Sequence, residues 1–210
     1  MTACVVYIEF FLNAVTCGFK EISKTIAKGG KPVQMSKRTG EFITLKEVIS
    51  EIGSDTARFI FLTRRQDSHL EFDLEVVKKQ SAENPVFYVQ YAYARINSIF
   101  KKADELNISL PPAQNIVNQL TLKEDEELRI IKKLITYPLI FEGAVIKQEP
   151  HRITFYLQDL SALFHQYYNK HRVLNDDSDL TIARLILCSC VKTVLEEGLN
   201  ILGISAPERM

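Results

Sequence analysis

The sequence predicts a mainly α protein: a helical bundle over residues 84–210, preceded by a short irregular segment at 29–83 and an unassigned leader at 1–28. Three observations predict it. Apolar residues recur at intervals of three and four along most of the second half, which is the spacing of one helix face. Helix-start patterns stand ahead of those stripes. Breakers are scarce, with 8 Gly and 7 Pro in 210 residues, so long helices are not interrupted. A composition of 46% apolar and 25% charged residues excludes a disordered chain or a fibrous repeat.

Taken in order, Gly29, Gly30 and Pro32 put the middle of a lysine-rich stretch in a loop. Glu41-Phe42-Ile43 reads as a short strand, and Thr44-Leu-Lys-Glu47 has capping-box spacing ahead of a helix that should stop at Gly53. Ser54 or Asp55 can cap the next helix, and Gln66–Asp73 reads as a polar connection. A helix through Val76 and Val77 leads to Asn84-Pro85, a cap followed by a first-turn proline. Val86, Val89, Tyr93, Ile96 and Phe100 form the next stripe, and residues 107–118 a loop. Thr121-Leu-Lys-Glu124 repeats the capping pattern, and the acidic run Glu124–Glu127 is expected to be a solvated helix start. Tyr137-Pro138 should break that helix, since proline lacks the amide the ladder needs. Ile153, Leu157, Leu160, Phe164 and Tyr168 mark another helix, and Asn175–Asp179 a turn. Leu180, Ala183, Leu187, Cys190 and Val194, with Val191, Leu195 and Leu202 beside them, mark a helix buried near the centre of a bundle.

Twenty-six basic residues cancel twenty-six acidic ones, so a nucleic-acid partner requires a local basic patch. Cys188 and Cys190 point about 200° apart on a helix, which suits neither zinc nor a staple. With Cys4 and Cys17 they read as buried free thiols of a reducing cytosol. Val5–Val15, broken by Glu9 and Asn13, is too short to span a bilayer. A chain that is soluble, cytoplasmic, monomeric and without a membrane partner is the expectation. His69, His151, His165 and His171 show no metal-ligand spacing, so no metal site is expected. Phosphate-loop and serine-elbow motifs are absent. The stretch from Lys31 to Leu45 is the informative one. By composition it is a solvated basic loop, yet Lys37 and Arg38 on a glycine-flanked loop also suit a mobile polyphosphate, with Ser36 holding the loop or a phosphate oxygen.

"VQMSKRTGEFITL" resembles the Lys-Met-Ser-Lys-Ser signature of class I aminoacyl-tRNA synthetases. The blocks "GGKPVQMSKRTGEFITLKEVISEIGSDTARFIFL", "FDLEVVKKQSAENPVFYVQYAYARI" and "LNILGISAPERM" resemble arginyl-tRNA synthetases in particular, in the right order over about 29–210. The resemblance implies ATP-dependent attachment of arginine to its tRNA. It gives Lys37 the catalytic role of steadying the departing pyrophosphate, with Met35, Ser36 and Arg38 completing the ATP-phosphate loop; Gln34 stands where the class signature has its first Lys. The family's nucleotide-binding fold does not fit into the first 28 residues, because βαβ units take about 30 residues each. The chain is therefore expected to be a C-terminal part, inactive alone, that uses ATP, with Mg²⁺ admitted beside it and no tightly bound cofactor, only with a missing N-terminal catalytic portion.

The resemblance further implies a signature-loop and stem-contact segment at 29–83 and an anticodon-binding domain of the DALR type at 84–210. Anticodon bases are unstacked and are read by aromatic faces and edge hydrogen bonds. Tyr91 and Arg95 stand four apart, as do Tyr168 and Arg172, each pair offering a ring beside a guanidinium. By resemblance Tyr168, Arg172 and Met210 approach the anticodon loop of an arginine-accepting tRNA. Against this stands the bland expectation that Tyr91, Tyr93, Tyr167 and Tyr168 are core or rim aromatics, and that capping and surface exposure account for Asn84 and Gln90. The competing function is a helical protein-interaction module derived from the synthetase, without RNA binding or catalysis.

Overall fold

A computed structural model describes residues 26–28, 31–33, 45–65, 72–73, 77–78, 84–111 and 122–210. Three short strands form one small sheet. β1 (Ile26–Lys28) pairs antiparallel with β2 (Lys31–Val33) and parallel with β3 (Phe72–Asp73), giving the order β2-β1-β3. β3 lies in the stretch expected to be a polar connection. Two or three residues per strand carry no alternating pattern long enough to register in a sequence. The expected strand at Glu41–Ile43 and the Thr44 cap fall outside the described residues.

Six α-helices stand among the described residues, the first two of them ahead of β3: α1 (Leu45–Ile52), α2 (Ser54–Leu62), α3 (Pro85–Glu105), α4 (Asp125–Lys147), α5 (His151–Lys170) and α6 (Ser178–Ile201). Gly53 ends α1 as expected and serves α2 as its cap, at φ 82°, a conformation other residues adopt only under strain. Asn84 caps α3: its side-chain oxygen accepts from the amides of Val86 (3.2 Å) and Phe87 (3.4 Å), while its Nδ2 donates to the Val77 carbonyl (2.8 Å). Asp177 caps α6 by accepting from Asp179 and Leu180.

Two local expectations are corrected. The start of α4 is built one turn later than Thr121–Glu124: the Glu127 carboxylate accepts from the amides of Lys123 (3.0 Å) and Glu124 (3.1 Å). Glu127 is fully buried rather than solvated, because Arg184 of α6 meets it. Pro138 does not break α4, which runs on to Lys147. Around it the Lys133 carbonyl accepts from the hydroxyls of Thr136 and Tyr156, both at 2.7 Å, and packing against α5 holds the helix through the missing amide bond.

α4 and α5 form a hairpin across a connection in which Gln148 takes the left-handed conformation. Pairs at successive levels, Glu126 with Lys170, Lys133 with Asp159 and Tyr137 with Tyr156, make the two helices antiparallel. α6 lies at the centre, in contact with α3, α4 and α5, and buries Ala183, Leu187, Val191, Leu195 and Leu199. Each fully buried Leu or Ile there contributes roughly 1.5–3 kcal/mol. Gly198 lets α5 close on α6: a Cβ at that position would stand 2.6 Å from Leu157 Cδ2. The Cys-x-Cys pair divides as its geometry requires, with Cys188 buried and Cys190 exposed. Burial pushes the Cys188 thiol up to about 12. Cys190 thus corrects the expectation of a buried thiol.

Candidate nucleic-acid interface

α3 buries Val89, Ala92, Tyr93 and Ile96 and so turns the opposite stripe, Tyr91, Arg95, Ser98 and Lys102, outward at helical spacing. α5 contributes Tyr168 beside it, and the C-terminal tail adds Arg209 and Met210. Together they line an open groove of about 640 Å³. The Arg95 guanidinium lies 4.5 Å from the centroid of the Tyr91 ring and 4.6 Å from that of Tyr168, and its Nη2 donates to the Tyr91 hydroxyl at 2.6 Å. Phe87 extends the shelf, its ring 6.0 Å from Tyr91 and nearly coplanar in orientation at 9°. Tyr91 and Tyr168 remain 36% and 38% exposed, so part of each ring is open to solvent.

His165 packs behind Tyr91. It sits 4.6 Å from the Tyr88 ring and 5.7 Å from the Tyr91 ring, with Nε2 3.2 Å from the Tyr88 carbonyl. Burial holds its pKa below the ordinary value, which keeps the ring neutral, and the carbonyl requires the hydrogen on Nε2. The groove carries Arg95, Lys101, Lys102 and Arg209 against Glu105. A local excess of positive charge therefore exists on a chain whose net charge is zero.

The tail is fastened in place. Asp55 of α2 accepts from the Ser205 amide (3.1 Å) and the Ser205 hydroxyl, and also from Gln90 Nε2 (3.2 Å), which donates to the Ser205 carbonyl at 2.9 Å. Arg58 donates to the Gly203 carbonyl. These bonds tie α2, α3 and the tail together and bring Met210 to the groove.

Of the residues expected from the sequence, Tyr91, Arg95, Tyr168 and Met210 meet in one place. Arg172 does not join them. α5 ends at Lys170 and His171 is extended, so Arg172 leaves the helix before completing a turn from Tyr168; its carbonyl accepts from Arg184 at 2.8 Å. Tyr93 and Tyr167 are core residues. Asn84 is a cap, and Gln90 is buried in the tail knot rather than exposed. Met35, Ser36, Lys37 and Arg38 lie outside the described residues. Lys101, Lys102 and Arg209 were missed by sequence reasoning, although 91, 95, 98 and 102 already describe a polar stripe at helical period. Glu124, Glu126 and His171 converge, but Glu126 is taken up by Lys170 and His171, which hold its carboxyl down at about 2.

No helix among the described residues is long and apolar enough to cross a membrane. Residues 89–210 match the family of the DALR anticodon binding domain. An arginine–tRNA ligase of Syntrophotalea carbinolica is 53% identical over 186 residues, covering 88% of this chain and 33% of that protein. One from Geobacter sp. strain M21 is 54% identical over 187 residues, covering 89% and 33%. The chain thus spans about a third of the length of these relatives. Among solved structures, a Campylobacter jejuni protein assigned as an arginyl-tRNA synthetase superposes with a TM-score of 0.73 at 29% identity, covering 89% of this chain and 39% of that one.

Proposed function

Because the chain belongs to the DALR anticodon-binding family, in the form carried by arginyl-tRNA synthetases, we propose that its groove grips the anticodon arm of an arginine-accepting tRNA in the cytoplasm. The observation that carries this reading is the sandwich of Arg95 between the exposed rings of Tyr91 and Tyr168. An unstacked base gains a π face on either ring, and a guanidinium held between two rings keeps edge donors ready for a base or a phosphate. Lys101, Lys102 and Arg209 follow the backbone, where Lys and Arg neutralise phosphates irrespective of sequence.

Within the same reading, Met35, Ser36, Lys37 and Arg38 form the loop that meets the phosphates of ATP when a nucleotide-binding catalytic portion stands beside it. Lys37 steadies charge on the departing pyrophosphate during arginine activation, and Mg²⁺ accompanies the nucleotide. The chain alone is then inactive in arginine-dependent ATP–pyrophosphate exchange. Lys37→Ala should slow activation in the reassembled enzyme while leaving tRNA affinity nearly unchanged.

Titration with arginine-accepting and other tRNAs across a salt series tests the first reading. Each neutralised phosphate contributes a log–log slope of about −0.7 to −0.9. Steep salt dependence with preference for the arginine acceptors supports it. Flat or absent binding replaces it with a protein-interaction module.

A further inference from the structure

A second cavity, of about 500 Å³, lies where α1, α2 and α3 meet, and Met210 lines both it and the groove of Tyr91 and Tyr168. Ile52, Thr56, Val77, Phe87 and Gln90 supply much of the rest of its wall. Its volume is within the roughly 300–1,000 Å³ of small-molecule sites.

Two side chains in that wall are buried and polar, and each has an oxygen without a partner. Gln90 and Thr56 are 8% and 9% exposed. Gln90 Nε2 donates to the Ser205 carbonyl at 2.9 Å and to Asp55 at 3.2 Å. A carbonyl only accepts, so the amide cannot exchange its nitrogen and oxygen without breaking the tail knot. Oε1 is thereby turned away from the tail, and among the described residues no donor reaches it; the Thr56 hydroxyl is unmatched in the same way. Neither oxygen is sealed off as the Ser161 and Tyr167 hydroxyls are, so each is reachable from the cavity that its side chain lines. A cavity wall that holds a fixed acceptor and a hydroxyl is built for the polar edge of a ligand.

The remaining wall narrows the chemistry. Glu51 and Lys78 also line the cavity but pair with each other, so a neutral group suits it better than an ion. Phe87 supplies a flat face, and its ring is within 9° of parallel to Tyr91 at 6.0 Å, which carries aromatic surface from the groove into the cavity. A nucleobase is flat and neutral, and its pairing edge sets an N–H donor beside an acceptor. The donor suits Gln90 Oε1 and the acceptor suits the Thr56 hydroxyl.

We propose that this cavity is a second base site, which takes one unstacked nucleobase by its pairing edge on Gln90 and Thr56, with Phe87 against the ring. Resting on the reading of the groove as an RNA interface, the base belongs to the strand held there; the same chemistry would admit a free nucleoside.

Methyl NMR of the full chain, labelled at Ile and Val, reads the cavity through Ile52 and Val77. Adenosine at millimolar concentration should shift both resonances. Purine riboside, which lacks only the amino group, should bind at least about tenfold more weakly, because it leaves Gln90 Oε1 without a donor. Thr56→Val, similar in shape and outside the tail knot, should weaken adenosine at least about threefold with circular dichroism unchanged. An arginine-accepting tRNA should move the same two resonances. Methyls unmoved by adenosine overturn the proposal, as do equal binding of purine riboside and indifference to Thr56→Val. If tRNA binds with steep salt dependence and the two methyls stay in place, the groove reading survives and the strand is overturned as the source of the base. If adenosine behaves as expected and no tRNA binds, the groove reading falls and the cavity is a site for free nucleosides.

Discussion

Nε of Arg184 donates to Oε1 of Glu127 at 2.8 Å, joining the middle of the bundle to the first turn of α4 with both side chains shut off from water. The other Glu127 oxygen accepts two backbone amides, and Arg184 also donates to the Arg172 carbonyl. A pair of ions taken out of water is tolerable only with its hydrogen bonds complete, and these are largely complete.

Glu127→Ala leaves the guanidinium of Arg184 buried without its counter-ion and strips two amides of their acceptor. Urea denaturation should register a loss of about 3–5 kcal/mol. Arg184→Met should cost a similar amount, and the double variant less than the sum, because neither charge is then left stranded.

Tyr168→Ala should lower tRNA affinity by about 1–3 kcal/mol if a base stacks on that ring, with the helical signal unaltered because the residue is exposed. An unchanged binding isotherm would remove Tyr168 from the interface. Lys102→Ala should instead make the log–log salt slope shallower by about one phosphate's worth, roughly 0.7–0.9, for all tRNAs alike.

Asp55→Ala should release the tail, since Asp55 holds both the amide and the hydroxyl of Ser205. Carboxypeptidase should then trim the C-terminus faster, and tRNA affinity should fall even though Asp55 lines no part of the groove.

Acid should weaken the fold in two windows. The pKa of His165 is lowered by burial, so the unfolded chain takes up the proton first. Its contribution is whole above 6.5 and declines as pH falls below that value. Glu126, lowered to about 2 by Lys170 and His171, contributes above its ordinary 4.5 and loses that contribution as pH falls toward 2. His165→Gln should flatten the upper window only in part, because burial lowers His151 as well, and should leave the lower one, as followed by thermal melts across pH.

Much of the bundle was legible because helix signals are local. The Asn84-Pro85 start, the Gly53 stop and the stripes on α3 and α5 each depend on residues within a turn or two, and the structure keeps them. The errors came where a distant partner overrode a local rule. Pro138 stays helical because α5 packs against α4, and Glu127 alone of the acidic turn of α4 is buried because Arg184 lies opposite, 57 residues away.

For the interface, spacing alone set Tyr91 one turn from Arg95, since a helix fixes that relation for any residues so placed. Bringing Tyr168 across from another helix, turning Arg172 aside and fastening Met210 to the groove were decided only by the packed fold. The Arg95–Tyr168 contact and the bonds that hold the tail close chain loops of 73 residues and more, and no short stretch of sequence encodes the burial that makes closing them favourable.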